Sequence, residues 1–290
     1  MLKPRTLAAV GFLTPGVGLL SVFIIFPIIL TAWVSLNHWS MMTPISEMNF
    51  VGFENYTKIF DQDTFKKALA NTFVYSIANL AMMLPLSLLL GLLLYQAALK
   101  GKTIVRTLLF LPYIIPSVAV AIVWGYLYSP MYGPFNEILA FFHLPTQEWL
   151  GSFDQAMMSL VILNVWQTLG YYVVIVLAGL TEISQDYYEA AAIDGANSLQ
   201  RLFYITLPLL KRSLSFIVVI MTINTLQVFD PIYVLTQGGP ANSTTVVSYH
   251  MYDTAFNFGN AGQASAMAFI LYLVVLFFTI LQLRLFKTDY

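Results

Sequence analysis

Long apolar runs, each closed by a short cluster of charges, set the rhythm of this chain. Uncharged stretches cover residues 6–46, 68–99, 107–136, 155–181, 213–229 and 254–283. At about 1.5 Å per helical residue, each reaches across or nearly across a hydrocarbon layer roughly 30 Å thick, the fifth being the shortest. The pattern predicts an all-α integral membrane protein with six spanning helices near residues 8–35, 68–98, 104–128, 156–180, 213–235 and 263–284. The two-residue alternation of an outer-membrane barrel strand is absent. No repeat of fixed period and no appended hydrophilic domain is visible, so residues 1–290 read as one transmembrane domain whose longest polar interruption is 182–212.

Composition agrees with that pattern: 59% of residues are hydrophobic and 9% charged, against roughly half and a quarter in soluble proteins. The basic residues then orient the spans. With the N-terminus inside, Lys3, Arg5, Lys100, Lys102, Arg106, Arg201, Lys211, Arg212, Arg284 and Lys287 fall on inner segments, and only Lys58, Lys66 and Lys67 on outer ones. The positive-inside rule therefore predicts that both termini and the 182–212 loop are cytoplasmic. Lys3 and Arg5 before an apolar run could open a signal peptide, but the run is too long and lacks a small-residue cleavage site, so a retained first helix is expected. The absence of cysteine excludes disulfides, cysteine-ligated clusters and cysteine nucleophiles. His38, His143 and His250 are isolated near span boundaries and lack a second ligand at helical spacing, so no metal site is expected.

The polar segment reads EAAAIDGANSLQRLFYITLPLL over 189–210. Residues 188–193 suit a short helix on which Ala190, Ala191 and Ala192 present almost no side chain, so a second protein surface can approach closely. Asp194-Gly195 is a turn signal, because glycine accepts the left-handed conformation that ends helices. A second helix is expected from about Ser198, with Leu199, Leu202, Phe203, Ile205 and Leu207 forming its apolar side, and Pro208 marking a change of direction. A DNA-reading helix–turn–helix is disfavoured, since Glu182, Asp186, Glu189 and Asp194 outnumber Arg201, Lys211 and Arg212; no nucleic acid partner is expected. The bland alternative is a linker that hugs the membrane. Against it, Glu189, Ala190, Ala191, Gly195, Ile205, Leu207 and Pro208 reproduce the spacing E-A-A-x3-G-x9-I-x-L-P. In this the segment resembles the cytoplasmic coupling loop of ABC importer permeases.

Chemistry that the chain lacks narrows its role. A phosphate-cradling loop is suggested only by Gly101-Lys102-Thr103, and it fails because Gln96 stands where a glycine is needed and a membrane helix replaces the strand. No paired carboxylates and no Ser/His or metal constellation lies at membrane depth. Asp230, beside Pro231 near the outer end of the fifth span, is the one acid close to a span. A charge at mid-bilayer costs roughly 2.5–3.5 kcal/mol on insertion scales, so Asp230 should face an outer vestibule or water. An ion-coupled secondary transporter would carry embedded charges and repeat symmetry, which makes it the less favoured mechanism.

The resemblance continues beyond the loop. Phe110-Leu111-Pro112-Tyr113-Ile114-Ile115-Pro116-Ser117, Trp124-Gly125, Gly133-Pro134-Phe135-Asn136, Leu235-Thr236-Gln237-Gly238-Gly239-Pro240, then Thr244-Thr245, Tyr249, Tyr252 and Ala255-Phe256 are similar to carbohydrate-uptake permeases. The glycine-glycine-proline loop resembles the first permease of the maltose or glycerol-3-phosphate type. What this implies is a type I ABC importer permease fold (MetI-like) in the cell membrane. Implied partners are a second related permease, two nucleotide-binding ATPase subunits that carry the ATP and magnesium, and an extracytoplasmic solute-binding protein. No cofactor is implied in this chain, nor is it an enzyme by itself; it supplies half of a path for a sugar, oligosaccharide or polyol. The same role for glycerol-3-phosphate or a glycerophosphodiester is the alternative. The coupling contacts would come from Glu189, Ala190, Ala191, Asp194, Gly195, Ile205, Leu207 and Pro208.

Polar side chains at membrane depth nominate the path, since they are expensive against lipid. Asn164, Gln167 and Thr168 share a face of the fourth span, with Tyr171 one turn on. The fifth offers Asn224, Thr225 and Gln227, and the third Tyr113 and Ser117. Amides, hydroxyls and aromatic rings without a cationic cluster suit a neutral polyhydroxylated substrate better than a phosphate. The same residues also serve to tie membrane helices together, at roughly 0.6–2 kcal/mol per contact.

Overall fold

Apolar runs with few helix breakers become helices almost throughout, and the breaks fall where proline or a buried polar group forces them. The computed structural model describes residues 4–96 and 101–286; Lys3, Lys100 and Lys287 lie outside them. Among the described residues five helices are long and apolar enough to cross a membrane, or six if one bent pair counts as a single span.

The chain divides into two compact units. One takes the residues through Phe65 together with His250–Tyr272. Here α1 (Pro4–Leu20) continues through a π turn (Ser21–Ile25) into α2 (Phe26–Ser35). Only 6% of the apolar window in this first span is buried. A two-residue hairpin follows, β1 (Asn37–His38) against β2 (Asn49–Phe50), antiparallel with Asn37 opposite Phe50. It leads to α3 (Glu54–Asp61). Asn55, on α3, donates to the carbonyls of Ser35 at 2.9 Å and Asn37 at 2.8 Å, satisfying the end of α2.

The other unit takes Lys66–Tyr249 and the residues from Leu273 onward. It holds most of α4 (Asp63–Gln96), then α5 (Lys102–Ile114), α6 (Ser117–Leu127), α7 (Pro134–Phe141), α8 (Ala156–Thr181), α9 (Gln185–Ile193), α10 (Ser198–Arg201), α11 (Leu207–Leu226) and α12 (Asp230–Leu235). The short α13 (Val247–Tyr252) and the long α14 (Ala261–Leu285) run on into the first unit and back. At the centre is α8, with 56% of its apolar window buried. Its Leu160, Tyr172, Val176 and Leu180 pack with Tyr75 and Met83 of α4 and with Leu210, Ile217 and Met221 of α11. A second cluster gathers Trp124, Tyr128 and Leu163, capped by Phe135 and Trp149. Asn136 closes the loop beneath, donating to Gln147 O at 2.9 Å while its Oδ1 accepts from Trp149 Nε1 at 2.9 Å.

Two expected helices differ from the sequence pattern. The third span, read as one helix near 104–128, is α5 and α6 bent by 99° at Ile115-Pro116. Proline disfavours helical geometry in the residue before it, and Ile115 is extended with ψ 134°. The fifth, read as 213–235, is α11 followed by a break at 227–229 and then α12.

At the crossing of α5 and α8 the two backbones touch. A Cβ added to Gly170 would overlap the carbonyl of Leu109. Gly170→Val should therefore separate the helices and cost at least about 1–3 kcal/mol. A lower thermal midpoint in detergent is expected, and an unchanged midpoint would remove this crossing as a structural requirement.

Candidate functional site

The polar segment folds as two short helices joined by a tight turn, and the local sequence accounts for each end. Ser184 caps α9, its hydroxyl accepting from Asp186 N at 3.3 Å. At the other end Gly195 is left-handed with φ +79°. There Gly195 N donates to Ala192 O at 3.2 Å and Ala196 N to Ala191 O at 2.9 Å, the Schellman pattern. Asn197 then opens α10 with a reciprocal capping box, Gln200 N to Asn197 Oδ1 at 2.9 Å and Asn197 N to Gln200 Oε1 at 2.8 Å. The chain does not turn at Pro208. It stays helical from Ser198 through a π turn (Leu202–Thr206) into α11, and Pro208 occupies the first turn of α11. A proline's missing N–H removes one helical bond, and the wider turn just before it accommodates the loss.

Glu189, Ala190, Asp194 and Gly195 are exposed and Ala191 is half-buried. On the same element Ile193, Leu199 and Phe203 are 87%, 66% and 60% exposed, apolar side chains left uncovered by the described residues. Ile205 and Leu207 are half-buried and Pro208 is exposed. Tyr188 Oη and Thr206 Oγ1 meet at 3.0 Å, fastening α9 to the π turn.

The polar residues at membrane depth divide into two groups. Thr225 is 3% exposed and pairs with Ser76 of α4 at 2.7 Å. Gln167 is 8% exposed and donates to Ile115 O at 3.3 Å, satisfying a carbonyl left free by the bend. Asn164 donates to Asn79 Oδ1 at 2.7 Å, and Thr168 to Asn164 O at 2.8 Å. These groups are engaged in the helix framework. By contrast Gln227 is exposed, as is Asn224, whose side chain also bonds to Tyr172 of α8, and Tyr113 is exposed with its ring stacked on Tyr171, centroids 4.5 Å apart and planes 13° apart.

Ser117 and Asp230, which the sequence alone does not connect, form a close hydrogen bond from the Ser117 hydroxyl to the Asp230 carboxylate. Asp230 is thus half-buried against the head of α6, not simply turned to water. The polar face of α4 also escaped the sequence reading. Thr72, Ser76 and Asn79 recur at i, i+4 and i+7, a spacing that could have revealed it. Thr72 Oγ1 accepts from Val247 N at 3.0 Å, and Asn71 Nδ2 donates to the carbonyls of Asn242 and Thr245. Among the described residues no three His, Asp or Glu side chains approach as metal ligands would.

Comparison with known proteins places these elements in context. The family model described as "Binding-protein-dependent transport system inner membrane component" matches residues 83–288. The trehalose/maltose transport system permease protein of Thermococcus litoralis is 37% identical, covering 97% of this chain and 96% of that protein. The lactose transport system permease protein of Rhizobium radiobacter is 31% identical, covering 93% and 91%. A chain in the crystal structure of a bacterial alginate ABC transporter, in complex with an alginate pentasaccharide-bound periplasmic protein, aligns with a TM-score of 0.84 at 24% identity. It covers 99% of this chain and 97% of that one, a likeness of fold.

The Ser76–Thr225 contact separates a helix tie from a path residue. Thr225→Val should lower stability by about 0.6–2 kcal/mol, with little further loss in the double variant carrying Ser76→Ala. A thermal double-mutant cycle reads the coupling. Additive effects would show that the pair contributes no tie.

Proposed function

The chain belongs to the family of binding-protein-dependent transport system inner membrane components, a multi-pass permease subunit of an ABC importer, and on that premise we propose that it forms half of the import path for a sugar, oligosaccharide or polyol. The carrying observation is the exposed α9–turn–α10 element, which presents small residues and unpartnered apolar side chains around Glu189. Such a surface is built for another protein. In this reading it seats in a cleft on a separate ATPase subunit. Glu189 is the polar anchor, Ala190 and Ala191 allow close approach, Asp194 and Gly195 set the turn, and Ile205, Leu207 and Pro208 carry motion into the spans.

A second permease, two ATPase subunits and an extracytoplasmic solute-binding protein complete the assembly, with both termini of this chain in the cytoplasm and residues 1–290 acting as one permease domain. ATP hydrolysis then resides on the partner subunits. The substrate class follows from the kinship to trehalose/maltose and lactose permeases and from the kind of groups at membrane depth. Exposed Asn224 and Gln227 and the Tyr113–Tyr171 stack offer amides, hydroxyls and ring faces to a neutral polyol, with half-buried Asn164 and Thr168 bordering them on α8. Gln167, Thr225 and Ser117 hold the surrounding helices in place.

Two measurements test this reading. Gly195→Val places a β-branched residue at a left-handed position, a strain of roughly 1–2 kcal/mol, and should reduce substrate-stimulated ATP hydrolysis by about tenfold. Gly195→Asn, which tolerates that conformation, should retain most of it. Unchanged ATPase assembly and stimulation in both Gly195→Val and Glu189→Ala would end the docking assignment. In proteoliposomes the chain alone should not take up sugar, and uptake should appear when the partner subunits, solute-binding protein and ATP are added. Robust uptake without ATP would instead indicate a secondary transporter, and ATP-dependent uptake of glycerol-3-phosphate but not sugars would replace the carbohydrate assignment.

A further inference from the structure

Behind the α9–turn–α10 element lies a cavity of about 510 Å³, walled by the last turns of α4 and α8 on one side and by α9, α10 and the π turn on the other. Its volume lies within the range of small-molecule sites. Leucines from α4, α8, α10 and the π turn form the apolar wall, and Tyr95, Gln185, Tyr188, Ser198, Arg201 and Thr206 supply the polar one. Among the described residues no acidic side chain lines it, and Arg201 is the single formal charge.

Most of these polar groups are unspent. The Arg201 guanidinium makes no hydrogen bond or ion pair with any described residue, and its Nε is shielded from solvent without an acceptor. Side chains of Tyr95, Gln185 and Ser198 likewise make no hydrogen bond among the described residues. The Tyr188 and Thr206 hydroxyls are engaged with each other, and Thr206 Oγ1 also donates to Arg201 O at 3.3 Å. A shielded guanidinium donor lacking an acceptor is unfavourable, and guanidinium is the side chain best matched to an oxyanion. Donors from α4, α9 and α10 line one cavity, and several donors around one site favour a tetrahedral oxyanion, which accepts from several directions, over a planar carboxylate.

We propose that this cavity binds a phosphate group, contributed either by the headgroup of an anionic inner-leaflet phospholipid or by a free phosphomonoester. Arg201 is the principal contact, and Tyr95 of α4 is a second donor. Because the ligand would join the ends of α4 and α8 to α9 and α10, it would stiffen the link between the docking element and the spans. That consequence, and the cytoplasmic location, rest on the docking reading above; the binding itself does not.

The test uses the complete transporter, nucleotide-free, in nanodiscs. One arm titrates inorganic phosphate in phosphatidylcholine discs, and the other replaces phosphatidylcholine by phosphatidylglycerol, with the thermal midpoint as readout. ATPase subunits also take phosphate, so the quantity read is the difference between the parent and Arg201→Gln. The parent midpoint should rise in at least one arm, and Arg201→Gln should weaken the response by about tenfold, the loss of one charge-assisted contact. Tyr95→Phe should weaken it by roughly two- to fivefold. A response confined to phosphatidylglycerol assigns the lipid headgroup, and one confined to phosphate assigns the free ligand. Equal responses of parent and both variants in both arms overturn the proposal. If Arg201→Gln prevents assembly with the ATPase, Arg201 serves docking and the phosphate site is overturned while the docking reading stands.

Discussion

The backbone contact between α5 and α8 at Gly170 is the constraint on which the larger unit depends. Because no side chain stands between Gly170 and the Leu109 carbonyl, α5 lies close enough for Gln167, one turn earlier on α8, to reach the carbonyl of Ile115. That carbonyl belongs to the extended residue at the 99° bend. A backbone break inside an apolar layer has no water to satisfy it, so it persists only where protein supplies the missing partner. The bend in turn directs α6 toward α12, where the Ser117 hydroxyl meets the Asp230 carboxylate at the second break. One glycine, one amide and one hydroxyl thus link two interrupted helices.

The same economy governs the other polar groups at membrane depth. Asn164 with Asn79, and Thr225 with Ser76, pair amide with amide and hydroxyl with hydroxyl between α4 and its neighbours. Each pair removes groups that lipid would penalise and fixes the rotation of the helices that carry them. Exposed Gln227 and the Tyr113–Tyr171 stack stand outside this framework, unlike Thr225 and Gln167.

The α9–turn–α10 element is held by a different logic. Its caps are local: Ser184 at the start, the Schellman turn at Gly195, and the capping box at Asn197. It can therefore keep its shape while exposing Ile193, Leu199 and Phe203. Among the described residues one hydrogen bond, Tyr188 with Thr206, joins α9 to the helix that follows, and Tyr188 also packs on the core cluster that holds Leu210.

Much of this was legible in the sequence. Apolar length determined the spans, because the cost of burying an unpaired backbone in lipid leaves helix as the default. Gly195 marked the turn, since its conformational preference acts locally, whereas the caps at Ser184 and Asn197 are seen in the structure. The seven spaced positions from Glu189 to Pro208 carried the family resemblance. Tertiary structure decided what depends on residues far apart in the chain. Pro112, Pro116 and Pro208 look alike as helix breakers, yet α5 runs through Pro112, the chain bends before Pro116, and it remains helical through Pro208. At the bend, Gln167 supplies from another helix the partner that lets the break persist. Likewise, whether an asparagine or threonine serves as a tie or as an open polar group depended on what lay opposite it. Ser76 and Asn79 lie 149 and 85 positions from the partners they meet, a distance over which periodicity along the chain carries no information.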